Sequence, residues 1–209
     1  MKPIIISIDG NIGSGKSTFV QYLKKETDYY VLDEPVDEWM KYKDESGTSL
    51  IENFYKDQTR WSYTFQNFAY ITRLKKLKDA IDEGHHIIIT ERSIFTDKNI
   101  FAKMLYEDNA LNKMEWDMYN YWFDFFKMEL DGMVYLHTSP EICRERIQQR
   151  ARQGEEGIQF SYLQDLHRQH EKVKKDCHYV ELDGNQNFIT DETIRNKLLE
   201  KVKTFINKL

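Results

Sequence analysis

The sequence predicts an α/β protein built on a five-stranded parallel sheet flanked by helices, and three observations carry that prediction. Short β-branched runs alternate with long stretches of helical periodicity, the pattern of a parallel sheet covered by helices. The runs are nearly continuous in apolar residues, as strands buried on both faces are. A glycine-rich turn follows the first run directly and opens a helix. The strands are expected at Ile4 to Asp9, Tyr29 to Asp33, His86 to Thr90, Met133 to His137 and His178 to Leu182. Between the second and third lies a helix from about Thr59 to Glu83, with Gly84 as its C-terminal cap. Another runs from about Lys113 to Leu130. Ser139 followed by Pro140 is an N-cap and first-turn signal. The helix it starts carries Arg144, Arg146, Arg150 and Arg152 and is interrupted by Gly154 and Gly157.

The 209 residues are 40% hydrophobic, with twelve Phe, thirteen Tyr and four Trp, enough apolar material for a core. Only three Pro and nine Gly occur and none cluster in a linker, so one domain over residues 1–209 is expected. A net charge of −5 argues against a general affinity for nucleic acid or an anionic membrane, and phosphate chemistry must be local. No apolar run approaches the ~18 residues of a spanning helix. Two cysteines are too few for a disulfide framework. Together with an N-terminus that runs straight into a strand, this fits a cytoplasmic protein. His85, His86, His167 and His170 have no ligand partner at metal spacing and read as ordinary sheet-edge or surface residues.

Gly10, Asn11, Ile12, Gly13, Ser14, Gly15, Lys16, Ser17 and Thr18 fit the phosphate-loop pattern of Gly, four free positions, Gly, Lys, then Ser or Thr. Glycines let backbone N–H groups approach phosphate oxygens, and the following helix aims its positive end at the same anion. Lys16 is placed for the terminal phosphates and the Ser17 hydroxyl for Mg²⁺. With Gly at ~7% the pattern arises by chance roughly 0.007 times in such a chain, so a nucleoside triphosphate is the expected ligand.

The later strands narrow the chemistry. A phosphate-loop hydrolase usually ends a strand in a magnesium-holding Asp. Here the third strand runs into Glu91-Arg92-Ser93 and the fourth into His137-Thr138. The second ends in Asp33-Glu34-Pro35, bringing Glu34 to the carboxyl edge where open α/β sheets bind ligands. From position alone, Glu34 and Glu91 could equally be solvated loop carboxylates.

With these motifs in place, the chain resembles the deoxyribonucleoside kinases of the deoxycytidine and deoxyguanosine kinase type. The residues that carry the resemblance, in order, are the phosphate loop, Glu34-Pro35-Val36 with Trp39, Phe54-Tyr55, Trp61-Ser62 with Phe65-Gln66, Glu91-Arg92-Ser93, and Arg150-Ala151-Arg152 with Glu155. The resemblance implies a P-loop kinase fold in which ATP or another triphosphate such as UTP phosphorylates the 5′-hydroxyl of a deoxynucleoside with Mg²⁺. Glu34 would accept the hydroxyl proton and Arg92 would hold both partners in line. Glu91 would bind the magnesium shell, or itself act as proton acceptor. Tyr55 and Glu155 would hold the sugar 3′-hydroxyl.

Arg146, Arg150 and Arg152 are expected to form a lid, about residues 146–158, that gathers charge on the transferring phosphoryl group; the plainer alternative is a basic helix face paired with Glu141 and Glu145. Gln186, Asn187 and Phe188 follow the fifth strand and are similar to the loop that borders the donor base in this family. Gln66, Ala69 and Arg73 share one helix face. Arg73 has a plausible partner in Asp97, with Phe101 a turn further on to sandwich a ring. In the family the chain resembles, this Ala, Arg and Asp combination goes with purine deoxynucleosides and deoxycytidine as acceptors and poor use of thymidine, so the resemblance implies that preference unless the Arg73–Asp97 pair is merely structural. A nucleoside monophosphate kinase, the nearest rival, needs a basic clamp where this chain has Glu34; a nucleotide-binding relative without catalysis would not need Lys16, Ser17, Glu34 and Arg92 intact. The helix with Trp116, Tyr119, Tyr121, Trp122, Phe123, Phe125 and Phe126 is aromatic nearly all round. That points to a homodimer or to a thick internal helix.

Overall fold

In the computed structural model, which describes residues 2–152, 155 and 157–209, the strands form one all-parallel sheet in the order β2-β3-β1-β4-β5. They are β1 (Ile4–Asp9), β2 (Tyr30–Leu32), β3 (Ile87–Glu91), β4 (Gly132–His137) and β5 (Tyr179–Asp183), each within a residue or so of its expected bounds. β1 lies at the centre, in register with β3 from Ile4 opposite Ile87 to Ile8 opposite Glu91. Alternation sends Ile6 and Ile8 to one face, where they pack with Phe19, Val20 and Leu23 of α1 (Lys16–Glu26). Ile5 and Ile88 face the other way, onto Leu77 and Ala80 of a later helix.

Two short helices that periodicity does not announce follow β2: α2 (Val36–Lys41) and α3 (Leu50–Lys56). Ser49 and Glu52 close a reciprocal capping box that starts α3. The expected long helix is α4 (Gln58–Asp82), N-capped by Asp57. Trp39, Phe54, Phe65 and Ala69 knit α2, α3 and α4 into a core of their own beside the sheet.

The chain after β3 departs from a plain helix. A single turn, α5 (Ile94–Thr96), gives way to a π-helical stretch over Asp97–Ala102 and then to α6 (Lys103–Glu107). π-turns are rare and gather at functional sites. α7 (Lys113–Phe126) stops four residues short of the expected Leu130, because Lys127 is extended.

Ser139 caps α8 (Pro140–Arg150), which ends at Ala151 in the left-handed region, φ +47°, ahead of the glycines expected to end it. Gly154 lies outside the described residues. α9 (Phe160–Val173) and α10 (Glu192–Ile206) complete the layers, α10 packing Leu198, Leu199 and Val202 on the α1 side of the sheet.

Candidate active site

Two left-handed glycines shape the phosphate loop. Gly13 has φ +76°, and a Cβ there would fall 2.4 Å from the Cys143 carbonyl of α8; Gly15, at φ +100°, is the residue before α1. Side chains from elsewhere brace the loop backbone. Arg92 Nη1 donates to the Gly10 carbonyl at 3.0 Å, and Arg146 Nη1 and Thr138 Oγ1 donate to the Ser14 carbonyl at 2.9 and 3.1 Å. Asn11 Nδ2 donates to the Leu163 carbonyl of α9 at 2.8 Å.

Lys16 is buried, with Nζ donating to the Asn11 carbonyl at 2.7 Å. Burial, and after it the positive charge of Arg92, push its ammonium down to about 7, against the opposing pull of Glu91 and Glu34. Ser17 Oγ donates to Glu91 Oε1 at 2.6 Å, so hydroxyl and carboxylate oxygens converge beside Lys16. Both are hard donors of the type that suits Mg²⁺.

Glu34 stands between two guanidiniums, with Oε1 3.1 Å from Arg73 Nη2 and 3.2 Å from Arg92 Nε. Burial would raise its carboxyl, but Arg92, Arg73 and Lys16 together outweigh burial and hold it at about 2. Arg92 itself has φ +61°, a conformation a non-glycine residue adopts at a cost on the order of 1 kcal/mol. Its guanidinium lies 4.6 Å over the ring of Phe101, which sits in the π-helical stretch.

Arg73 does more than pair with Asp97. Its Nε donates to Asp97 Oδ2 at 2.8 Å, its Nη1 to the Glu91 backbone carbonyl at 2.6 Å and its Nη2 to Glu34. Burial pushes the Asp97 carboxyl up against the pull of that guanidinium. One side chain therefore ties Asp97 to Glu34 and the end of β3.

Glu34, Trp39, Tyr55, Gln66, Ala69, Arg73, Arg92, Asp97, Phe101 and Glu155 all line one cleft, together with Lys16, Ser17 and Glu91. Phe54 and Phe65, from the motifs that carry the resemblance, line it as well, and so do Ile51 and Tyr162, which sequence reasoning did not single out. Trp39 is fixed by a bond from Nε1 to Thr72 Oγ1 at 3.0 Å. Burial, then the neighbouring Glu155, push the Tyr55 phenol up, so it stays a hydrogen-bond donor. Glu155 bonds Arg150 Nη2 at 2.5 Å and Arg152 Nη1 at 3.3 Å.

A second groove meets the cleft at Lys16 and is lined by Gly13, Gly15, Thr18, Arg146, Arg150, Arg152, Asn187 and Phe188. The Phe188 side chain is a core residue, edge-on to Phe19 at 5.9 Å between centroids. Gln186 is not part of this lining; its Nε2 donates to Asp183 at 2.9 Å. Asn185, of the same loop, lines the groove too, as do Ile189 and Thr190, which sequence reasoning did not single out. His167 needs a correction too. The fold brings it beside His137 and Glu171, partners far apart or a helical turn away in sequence.

A buried lysine in a glycine loop, joined by a cleft in which carboxylates and guanidiniums are paired and by an arginine-bearing groove, defines a phosphotransferase of the P-loop kinase fold. A family model described as deoxynucleoside kinase matches residues 6–207, and the chain belongs to that family. It is 37% identical to a probable deoxycytidine kinase of fowlpox virus, over 98% of this chain and 88% of the relative. It is 35% identical to the deoxycytidine kinase of Homo sapiens, over 98% and 91%. With a mitochondrial deoxyguanosine kinase of Xenopus laevis it shares 34%, over 96% and 89%. No helix among the described residues is long and apolar enough to cross a membrane.

Proposed function

We propose that this protein transfers the γ-phosphoryl group of ATP, or another nucleoside triphosphate, to the 5′-hydroxyl of a deoxynucleoside. Deoxycytidine and the purine deoxynucleosides are the proposed acceptors. The observation that carries this reading is Glu34, ionised between Arg73 and Arg92 and facing the Lys16 cleft. A carboxylate there accepts a hydrogen bond from a neutral alcohol and repels a phosphorylated acceptor. The named activities of the relatives agree with it.

In the proposed reaction the acceptor oxygen forms a bond to the γ-phosphorus as the bridge to the β-phosphate breaks, and the alcohol proton passes to Glu34. A carboxyl held at about 2 is a weak base. That suits a loose transition state, in which charge builds on the acceptor oxygen late, so Glu34 chiefly orients the hydroxyl and takes its proton as the bond forms. Lys16, Arg146, Arg150 and Arg152 neutralise the equatorial oxygens and the departing diphosphate. Ser17 and Glu91 would hold Mg²⁺, which when bound would supply further charge neutralisation at the same phosphates.

Gln66 and the Arg73–Asp97 pair read the edge of the base, with Phe101 and the aromatic wall covering its faces. Tyr55 and Glu155 take the sugar 3′-hydroxyl. Because Glu155 also bonds Arg150 and Arg152, acceptor binding and closure of a lid over about 146–158 are coupled. Gly10 to Thr18 cradle the triphosphate, with the backbone at Asn187 and Phe188 beside the donor base. We assign these roles within one domain spanning residues 1–209.

The protein is proposed to work as a homodimer through α4 and α7. Trp122 and Phe126 of α7 and Ile71 of α4 are exposed and line one apolar groove with Trp61 and Phe68, an arrangement that marks a protein interface. The activity is tested by offering deoxycytidine, deoxyadenosine, deoxyguanosine, thymidine and thymidylate in turn with Mg·ATP. Phosphorylation of the first three is expected, and turnover of thymidylate alone overturns the assignment.

A further inference from the structure

Away from the cleft, β4 and α9 bring together three side chains with metal-ligand chemistry. His137 is the last residue of β4. His167 and Glu171 are four apart on α9, hence on one face. One donor atom from each lies within 4.8 Å of the other two, and His137 Nε2 is 3.8 Å from Glu171 Oε1.

Two of these donors are also unspent. Among the described residues His167 Nδ1 and Glu171 Oε1 are shielded from solvent and have no hydrogen-bond partner. Buried polar atoms are almost always paired, so the unspent atoms of this cluster are open to a ligand, with the Tyr135 hydroxyl beside Glu171 as the competing partner. The other carboxylate oxygen of Glu171 is already used, since Lys174 Nζ bonds Glu171 Oε2 at 2.7 Å and Glu181 Oε2 at 2.6 Å. Glu171, Glu181 and Lys174 sum to one negative charge, which favours a cation. His137 keeps about a third of its side chain exposed, so solvent reaches the cluster.

We propose that His137, His167 and Glu171 form a binding site for a divalent transition ion of the zinc type, with water in the fourth position. Ligands of a tetrahedral ion at about 2.0–2.2 Å stand roughly 3.3–3.6 Å apart, so side-chain rotations suffice to close the present spacing. Two nitrogens and one carboxylate oxygen select such an ion over Mg²⁺ or Ca²⁺. The location gives it a consequence. Thr138, next to His137, holds the Ser14 carbonyl, and α9 holds Asn11 through Leu163. The ion would thus tie together the two elements that brace the phosphate loop.

The test uses the full chain, stripped with a chelator and titrated with Zn²⁺ and separately with Co²⁺. One ion per chain is expected, with the visible d–d absorption of nitrogen- and oxygen-bound Co²⁺ and a rise in Tm on Zn²⁺ addition. H137N and E171Q should each weaken binding by at least about tenfold and abolish the Co²⁺ spectrum; either variant suffices should the other not fold. H86N, an exposed histidine elsewhere, should leave both unchanged. No binding, binding unaltered in H137N and E171Q, or an equal loss in H86N overturns the site.

Discussion

When a nucleoside triphosphate enters the phosphate loop, Lys16 should take a proton from solvent. In the free protein its ammonium is depressed from 10.5 to about 7, on the order of 5 kcal/mol against the charged form at 1.36 kcal/mol per unit. Opposite phosphate oxygens that opposition reverses, and the group returns toward its ordinary range. Binding should therefore take up about half a proton at pH 7 and about one at pH 8.5, where the phosphate, with a second pKa near 6, is itself fully ionised. The same shift makes stability pH-dependent. With the folded value below the unfolded one, the destabilising contribution of Lys16 to the free protein is fully present below pH 7 and fades as pH rises toward 10.5. Calorimetry with a non-hydrolysable triphosphate in buffers of different ionisation enthalpy reads the uptake directly. In K16R the guanidinium remains charged throughout, and uptake should vanish. Zero uptake in the parent protein, or equal uptake in K16R, would refute the reasoning.

Arg73 and the proposed dimer face give further expectations. R73M strands the buried Asp97 carboxylate and loosens Glu34, so a loss of about 3–5 kcal/mol is expected in urea unfolding, and R73M/D97A should recover part of it. The double variant should also lose at least about a hundredfold in kcat/KM for purine deoxynucleosides and gain thymidine; an unaltered base ranking would remove the pair from base recognition. W122E/F126E should convert a dimer to a folded monomer in sedimentation velocity, whereas an unchanged sedimentation coefficient excludes this face from the interface.

The strands and the phosphate loop were legible because their signals are local: β-branched runs bounded by turns, and glycines at fixed offsets. Glu34, Arg92 and the Arg73–Asp97 pair could also be proposed, since the resemblance spans the chain and the π-turn leaves their order intact. Other features depend on distance in three dimensions. The bond from Arg73 to Glu34 joins residues of α4 and the end of β2, and no spacing rule connects them. The left-handed φ of Arg92 follows from its place between β3, the Gly10 carbonyl and Phe101. Phe188 reads as a loop aromatic beside the donor base but spends its ring on the α1 core. His167 looked isolated because His137 is supplied by another element. The short α3 had a readable signal, Ser49 with Glu52 three residues on, that periodicity alone passes over.

The central claim is that Glu34 meets the acceptor hydroxyl across from Lys16, and steady-state kinetics of E34Q with deoxycytidine and Mg·ATP test it most directly. The glutamine keeps the shape and loses the charge. We predict a kcat lower by about 10²–10⁴ with little change in KM, because the contact matters as the proton leaves the alcohol. An E34Q enzyme with parental kcat would contradict the account.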